Sequence, residues 1–139
     1  KFTGPIPTSI CNLTYLSILD LSNNRLSGDF PHCLGSAGNS FASLDFSSNN
    51  IYGNLPKSFK NCKSWEFLDV SDNWLHGSVG KSLANCTNLQ FLNLKNNNFR
   101  DQFPYWLGAL PSLKVLDLSS NKFYGYITNS EVDNPFPLL

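Results

Sequence analysis

"LDLSNNRLSGDFP", residues 19–31, returns as "LDFSSNNIYGNLP" at 44–56, "LDVSDNWLHGSVG" at 68–80 and "LDLSSNKFYGYIT" at 116–128. A string that recurs at a fixed spacing marks a repeat architecture, and its period decides the fold. The Asn that closes L-x-x-L-x-L-x-x-N falls at Asn24, Asn49, Asn73, Asn97 and Asn121, with spacings of 25, 24, 24 and 24. Apolar triplets precede it: Leu16/Leu19/Leu21, Phe41/Leu44/Phe46, Trp65/Leu68/Val70, Leu89/Leu92/Leu94 and Leu113/Leu116/Leu118. After each Asn come an apolar residue, usually Gly, another apolar residue and Pro, and this half-pattern also begins the chain as Phe2-Thr3-Gly4-Pro5-Ile6-Pro7.

The pattern predicts an α/β-type repeat solenoid in which residues 1–139 form one segment of about five 24-residue coils after a partial first one. A right-handed coil is expected. The x-L-x-L-x stretch alternates with period two, so it reads as a short strand with its leucines inward, and successive strands stack in parallel on the concave face. The return half, punctuated by Gly and Pro, reads as irregular or 3-10 backbone. Each coil buries its leucines against its neighbours, so stability is nearest-neighbour in character. Asn24, Asn49, Asn73, Asn97 and Asn121 carry both amide donors and an acceptor, and are expected to form a structural ladder that satisfies backbone groups at the turns. Departures are local: Gly80 and Thr128 replace the turn Pro, Asp101 replaces its Gly, and one extra residue lies within Gly35–Gly38.

Composition narrows the functional classes. Charged residues are 14% of the chain, and surface polarity comes instead from 18 Asn and 18 Ser. Formal net charge is zero with no basic run, so the electrostatic attraction that drives nucleic-acid or anionic-membrane binding is missing and no nucleic-acid partner is expected. No stretch approaches the ~20 apolar residues of a membrane helix. Asn12-Leu13-Thr14 and Asn85-Cys86-Thr87 are N-glycosylation sequons, which lean the reading toward secretion and mark Asn12 and Asn85 as candidate glycan acceptors.

Four cysteines lack the close pairs of a zinc site. Cys11 and Cys33 are 22 residues apart, close to one coil, and are expected to pair as a disulfide in an oxidising compartment. Cys62 and Cys86 occupy identical coil positions and read as two small buried apolar residues in a leucine slot.

Function is expected in the positions that vary between copies. The solvent-facing stripes of the strand face are Asp20/Asp45/Asp69/Asn93/Asp117, Ser22/Ser47/Ser71/Lys95/Ser119 and Ile18/Ser43/Phe67/Phe91/Val115. Lys95 beside Asn93 is the largest departure, and two adjacent phenylalanines can anchor a partner. Phe67, Asp69, Ser71, Phe91, Asn93, Lys95 and Asp117 are therefore the candidate ligand-binding residues, with Tyr52, Trp74, Arg100 and Tyr124 as lateral candidates. His32 and His76 fall at different coil positions, and neither has a predicted Asp or Ser partner for a triad. No catalytic residue, metal or cofactor is expected.

Leu26-Ser27-Gly28-Asp29-Phe30-Pro31 resembles the plant-specific class of leucine-rich repeats, over essentially the whole chain. Within it, "NNFRDQFPYWLGALPSLKVLDLSSNKFYG" (97–125), with Asp101 and Trp106, and "SICNLTYLSILDLSNNRLSGDFPHCLG" (9–35) resemble plant receptor-like proteins. The resemblance implies a cell-surface glycoprotein whose ectodomain senses pathogen or developmental signals. Its partners would be a protein or peptide ligand and co-receptor kinases, with the parent anchored in the plasma membrane. Both ends look cut, with "NPFPLL" (134–139) like the opening of another coil, so a fragment of a longer ectodomain is expected. A secreted inhibitor resembling the polygalacturonase-inhibiting proteins, a receptor-kinase ectodomain, and a structural or ice-interacting solenoid stand as alternatives.

Overall fold

The computed structural model describes residues 1–36, 38–127 and 136–138. Thr128 and half of the 134–139 stretch lie outside the described residues. Five strands, Ile18–Asp20, Ser43–Asp45, Phe67–Asp69, Phe91–Asn93 and Val115–Asp117, form one parallel sheet in strict coil order. Its register pairs Leu19 with Leu44, Leu44 with Leu68, Leu68 with Leu92, and Leu92 with Leu116. The 24-residue period therefore keeps equivalent atoms one strand spacing apart, as a solenoid requires.

The return half is more ordered than its Gly/Pro content predicts. Its first part makes a second series of short parallel strands: Thr3–Pro5 pairs with Arg25–Ser27, and Tyr52–Gly53, Trp74–Gly77 and Asn98–Phe99 form a three-stranded sheet. The same pitch produces it: once the leucine strands are in register, the backbone just past each Asn also meets its neighbour, as when Trp74 N–H donates to Ile51 O at 2.8 Å. Gly53 is needed here. Its φ is +85°, and a Cβ would lie 2.5 Å from Asp29 Oδ1. Among the described residues four 3-10 turns, Thr8–Asn12, His32–Gly35, Lys81–Asn85 and Tyr105–Ala109, help close the coils.

The core runs between the two series. In the central coils Phe41, Leu44, Phe46, Trp65, Leu68, Val70, Leu89, Leu92 and Leu94 are fully buried. Phe30 packs edge-on to Phe46 at 5.2 Å, and Phe59 to Trp65 at 5.7 Å. In the flanking coils Leu16 is 37% exposed and Leu116 and Leu118 are half-buried, because their strands have a neighbour on one side, although Leu19 and Leu113 of the same coils stay buried.

Two disulfides tie neighbouring coils. Cys11 and Cys33 are joined across a Cα separation of 6.1 Å. Cys62 and Cys86 are joined as well, at 5.0 Å, and this corrects the reading of them as two unpaired residues in a leucine slot. They are buried in that slot, but identical positions on consecutive coils also bring two sulfurs within bonding reach. Small apolar burial and cross-linking are thus the same placement seen at two levels.

Candidate functional site

The strand face is built on a repeated local turn. Asp20 Oδ1 accepts from Ser22 N–H at 2.9 Å and Ser22 Oγ–H at 2.6 Å. The pattern returns at Asp45/Ser47, Asp69/Ser71 and Asp117/Ser119. At Asp20 and Asp117 these bonds favour the ionised carboxylate. The Ser22 hydroxyl holds the Asp20 carboxyl below the usual range, and the Ser119 hydroxyl does so for Asp117, with a smaller contribution from the Lys95 charge.

At the sheet centre the face is not uniformly open. Asp69 is 9% exposed and Ser71 5%, so the expectation that both face solvent does not hold. Asp69 sits in register between Asp45 and Asn93, with a strand on each side. Its second oxygen, Oδ2, accepts from Asn93 Nδ2 at 3.2 Å. Asn93 Oδ1 in turn accepts Lys95 N–H at 3.0 Å, which preserves the turn without a hydroxyl and leaves the Lys95 side chain in solvent. Beside them Phe67 and Phe91 stack with ring centroids 4.3 Å apart and planes 8° from parallel. Both are half-buried. The structure therefore gathers Phe67, Phe91, Asn93, Lys95 and Asp117 into one patch, underlain by Asp69 and Ser71.

The five amides at the strand ends lie one above another. Asn73 Nδ2 donates to Phe46 O at 2.9 Å, Val70 O at 3.2 Å and Ser71 O at 3.1 Å, while Oδ1 accepts Ile51 N–H at 3.0 Å. Asn49, Asn97 and Asn121 repeat this set, and Asn24 accepts Phe2 N–H at 2.9 Å. Sequence reasoning missed the residue before each one. Asn23, Ser48, Asp72, Asn96 and Ser120 all have φ between 53° and 56°, the left-handed region. At Asn23, Asp72 and Asn96 the signal was present in the residue type, since Asn and Asp tolerate that region better than most non-glycine residues; Ser48 and Ser120 carry no such signal.

The other candidates are dispersed. Tyr52, Trp74 and Tyr124 are 51%, 60% and 54% exposed on the lateral edge, and Arg100 is exposed there too. His32 and His76, although they fall at different coil positions, line one open cleft of about 490 Å³ with Asp29, Tyr52 and Asn54, where His32 Nε2 bonds Asn54 O at 2.8 Å. Asn12 is exposed; Asn85 is exposed too, but its amide donates to Phe59 O at 3.1 Å. Among the described residues no helix is long and apolar enough to cross a membrane.

The family profile "Leucine Rich Repeat" matches residues 15–37 and 40–62, and "Leucine Rich repeats (2 copies)" matches 87–129. The chain belongs to the leucine-rich repeat family. Among curated relatives it is 48% identical to "Receptor-like protein 6" of Arabidopsis thaliana over 63 residues, 45% of this chain and 6% of that protein. Its coils superpose on the plant peptide hormone receptor RGFR1, solved in complex with RGF2, with a TM-score of 0.81 and 34% identity over 91% of this chain and 20% of that one. They superpose on the ectodomain of the Arabidopsis receptor kinase HAESA, in complex with an IDA peptide hormone ligand, with a TM-score of 0.80 and 40% identity over 88% and 20%. This leucine-rich repeat chain thus spans a small part of each relative's length. Its two disulfides fit an oxidising, extracellular setting.

Proposed function

We propose that this chain is an extracellular ligand-recognition segment of a plant receptor-like protein acting in immune or developmental signalling. A protein or peptide ligand lies across the strand face, with the Phe67–Phe91 stack as apolar anchor and Asn93, Lys95 and Asp117 as polar rim. Asp69 acts from beneath by fixing Asn93, and Ser71 by fixing Asp69. The observation that carries this reading is the stack itself: two large rings left half-open at the centre of the sheet, where the repeat elsewhere places Ile18, Ser43 and Val115. Aromatic anchors ringed by polar groups dominate many protein interfaces.

On this reading the segment has no catalytic role and needs no cofactor. The parent is held at the cell surface, Asn12 and Asn85 carry glycans, and Asn24, Asn49, Asn73, Asn97 and Asn121 are structural. A co-receptor kinase contacts the lateral edge near Arg100 and Tyr124. The test is the Phe67→Ala/Phe91→Ala variant of the receptor that contains this segment, assayed for its ligand-triggered response at matched surface abundance. Loss of the response supports the reading; an unchanged response at equal abundance removes it.

A further inference from the structure

On the lateral edge, away from the strand face, lies a polar depression of about 300 Å³. Three ladder amides, Asn49, Asn73 and Asn97, floor it, and Asp72, Trp74, Asn96 and Asn98 wall it. The floor is spent, because each of those amides donates to three backbone carbonyls and accepts one N–H. The wall is not. Asp72 Oδ1 accepts Asn96 Nδ2 at 2.7 Å, which leaves Asp72 Oδ2 and Asn96 Oδ1 open. The half-buried Asn98 amide makes no hydrogen bond among the described residues.

The wall is also fixed in place. Asp72 and Asn96 hold left-handed φ values of 54° and 53°, and their N–H groups are tied to Lys95 O at 2.9 Å and Ser119 O at 3.0 Å. Trp74 stands over this rigid polar frame, 60% exposed. The fold does not ask for an aromatic there, since the equivalent position is Arg25, Asn50, Asn98 or Lys122 in the other coils. Its strand partner in register, Tyr52, is a second open ring, 51% exposed.

We propose that Trp74, Asp72, Asn96 and Asn98 form a binding site for a neutral oligosaccharide. The C–H face of a pyranose is apolar and flat enough to lie on an indole. Its hydroxyls both donate and accept, matching the open carboxylate and amide oxygens and the free amide of the wall. No apolar pocket opens here to take a peptide side chain, because every apolar residue behind the ladder is already packed in the core. The Asp72 charge selects against uronic acids. This site is separate from the strand face and does not depend on the reading proposed for it.

The experiment is a titration of the 139-residue chain with cellotetraose, xylotetraose, mannotetraose and tetragalacturonate, followed by indole N–H chemical shifts and Trp fluorescence. At least one neutral oligosaccharide is expected to shift the Trp74 indole saturably, with the buried Trp65 unmoved and tetragalacturonate weaker. Trp74→Ala lowers affinity at least ~10-fold, about 1.4 kcal/mol, while Trp74→Tyr retains most of it. Asn98→Ala weakens it several-fold, and Tyr124→Ala leaves it unchanged. No saturable shift with any neutral oligosaccharide overturns the proposal. So does equal binding by Trp74→Ala with an unchanged circular dichroism spectrum, or binding led by tetragalacturonate.

Discussion

Asn73 and Ile51 are 22 residues apart, yet the amide oxygen of the first accepts the buried backbone N–H of the second at 3.0 Å. Every coil repeats this contact with the coil before it, so each ladder Asn joins two coils as well as closing its own turn. Removing the side chain leaves one buried donor and several carbonyls without partners.

Asn73→Ala is therefore expected to destabilise the chain by about 2–4 kcal/mol, the range for breaking a buried hydrogen-bond network. Asn24→Ala should cost about 1 kcal/mol, because Asn24 is only half-buried and donates within its own coil. Urea unfolding monitored by circular dichroism compares the two; equal losses would show that the inter-coil bonds contribute little.

The disulfides separate loop entropy from burial. They close loops of similar length, 22 and 24 residues, so the chain-entropy account assigns each about 3 kcal/mol. Cys62 and Cys86 are fully buried, whereas Cys33 is half-buried. Under graded reductant, Cys11–Cys33 is expected to open first, as read by alkylation and mass spectrometry. Replacing Cys62 and Cys86 by Ala should cost more than the same change at Cys11 and Cys33.

Asp117 makes the pH dependence predictable in sign. Its folded carboxyl titrates below the ordinary Asp value, first through the Ser119 hydroxyl and then the Ser119 N–H. The unfolded chain therefore takes up this proton first as pH falls. The stability from Asp117, and from Asp20 likewise, is complete above pH ~5 and is lost as pH drops below ~4. Ser119→Ala should raise the Asp117 pKa, measurable by carboxyl carbon NMR. A titration unchanged from wild type would remove the hydroxyl as the cause.

Ser48 holds φ at 56°, where a side chain branched at Cβ is strained. Ser48→Val is expected to destabilise by about 1–3 kcal/mol, and Ser48→Asn to be neutral or stabilising by a few tenths. Thermal melts of the pair give the difference; a tolerated Val would mean that the turn relaxes out of the left-handed region.

The period of 24 was enough to place the strands, because a strand with alternating leucines can bury them only if its copies stack in register. Leu44, Leu68 and Leu92 lie in the order their spacing requires, and the amides of Asn49, Asn73 and Asn97 are superposed for the same reason. Pitch also put Cys62 beside Cys86, although a sequence position alone could not distinguish a leucine slot from a bond. What remained hidden depended on distances across coils at different phases. His32 and His76 share a cleft because points unequally far past the ladder Asn converge on the return side. Asp69 is buried and Trp74 is open because burial depends on how large the neighbouring side chains are, which a period does not record. The repeat by itself determined the strand face and the core; only the packed solenoid decided the second strand series of the return half, which variable side chains are covered and which remain available to bind.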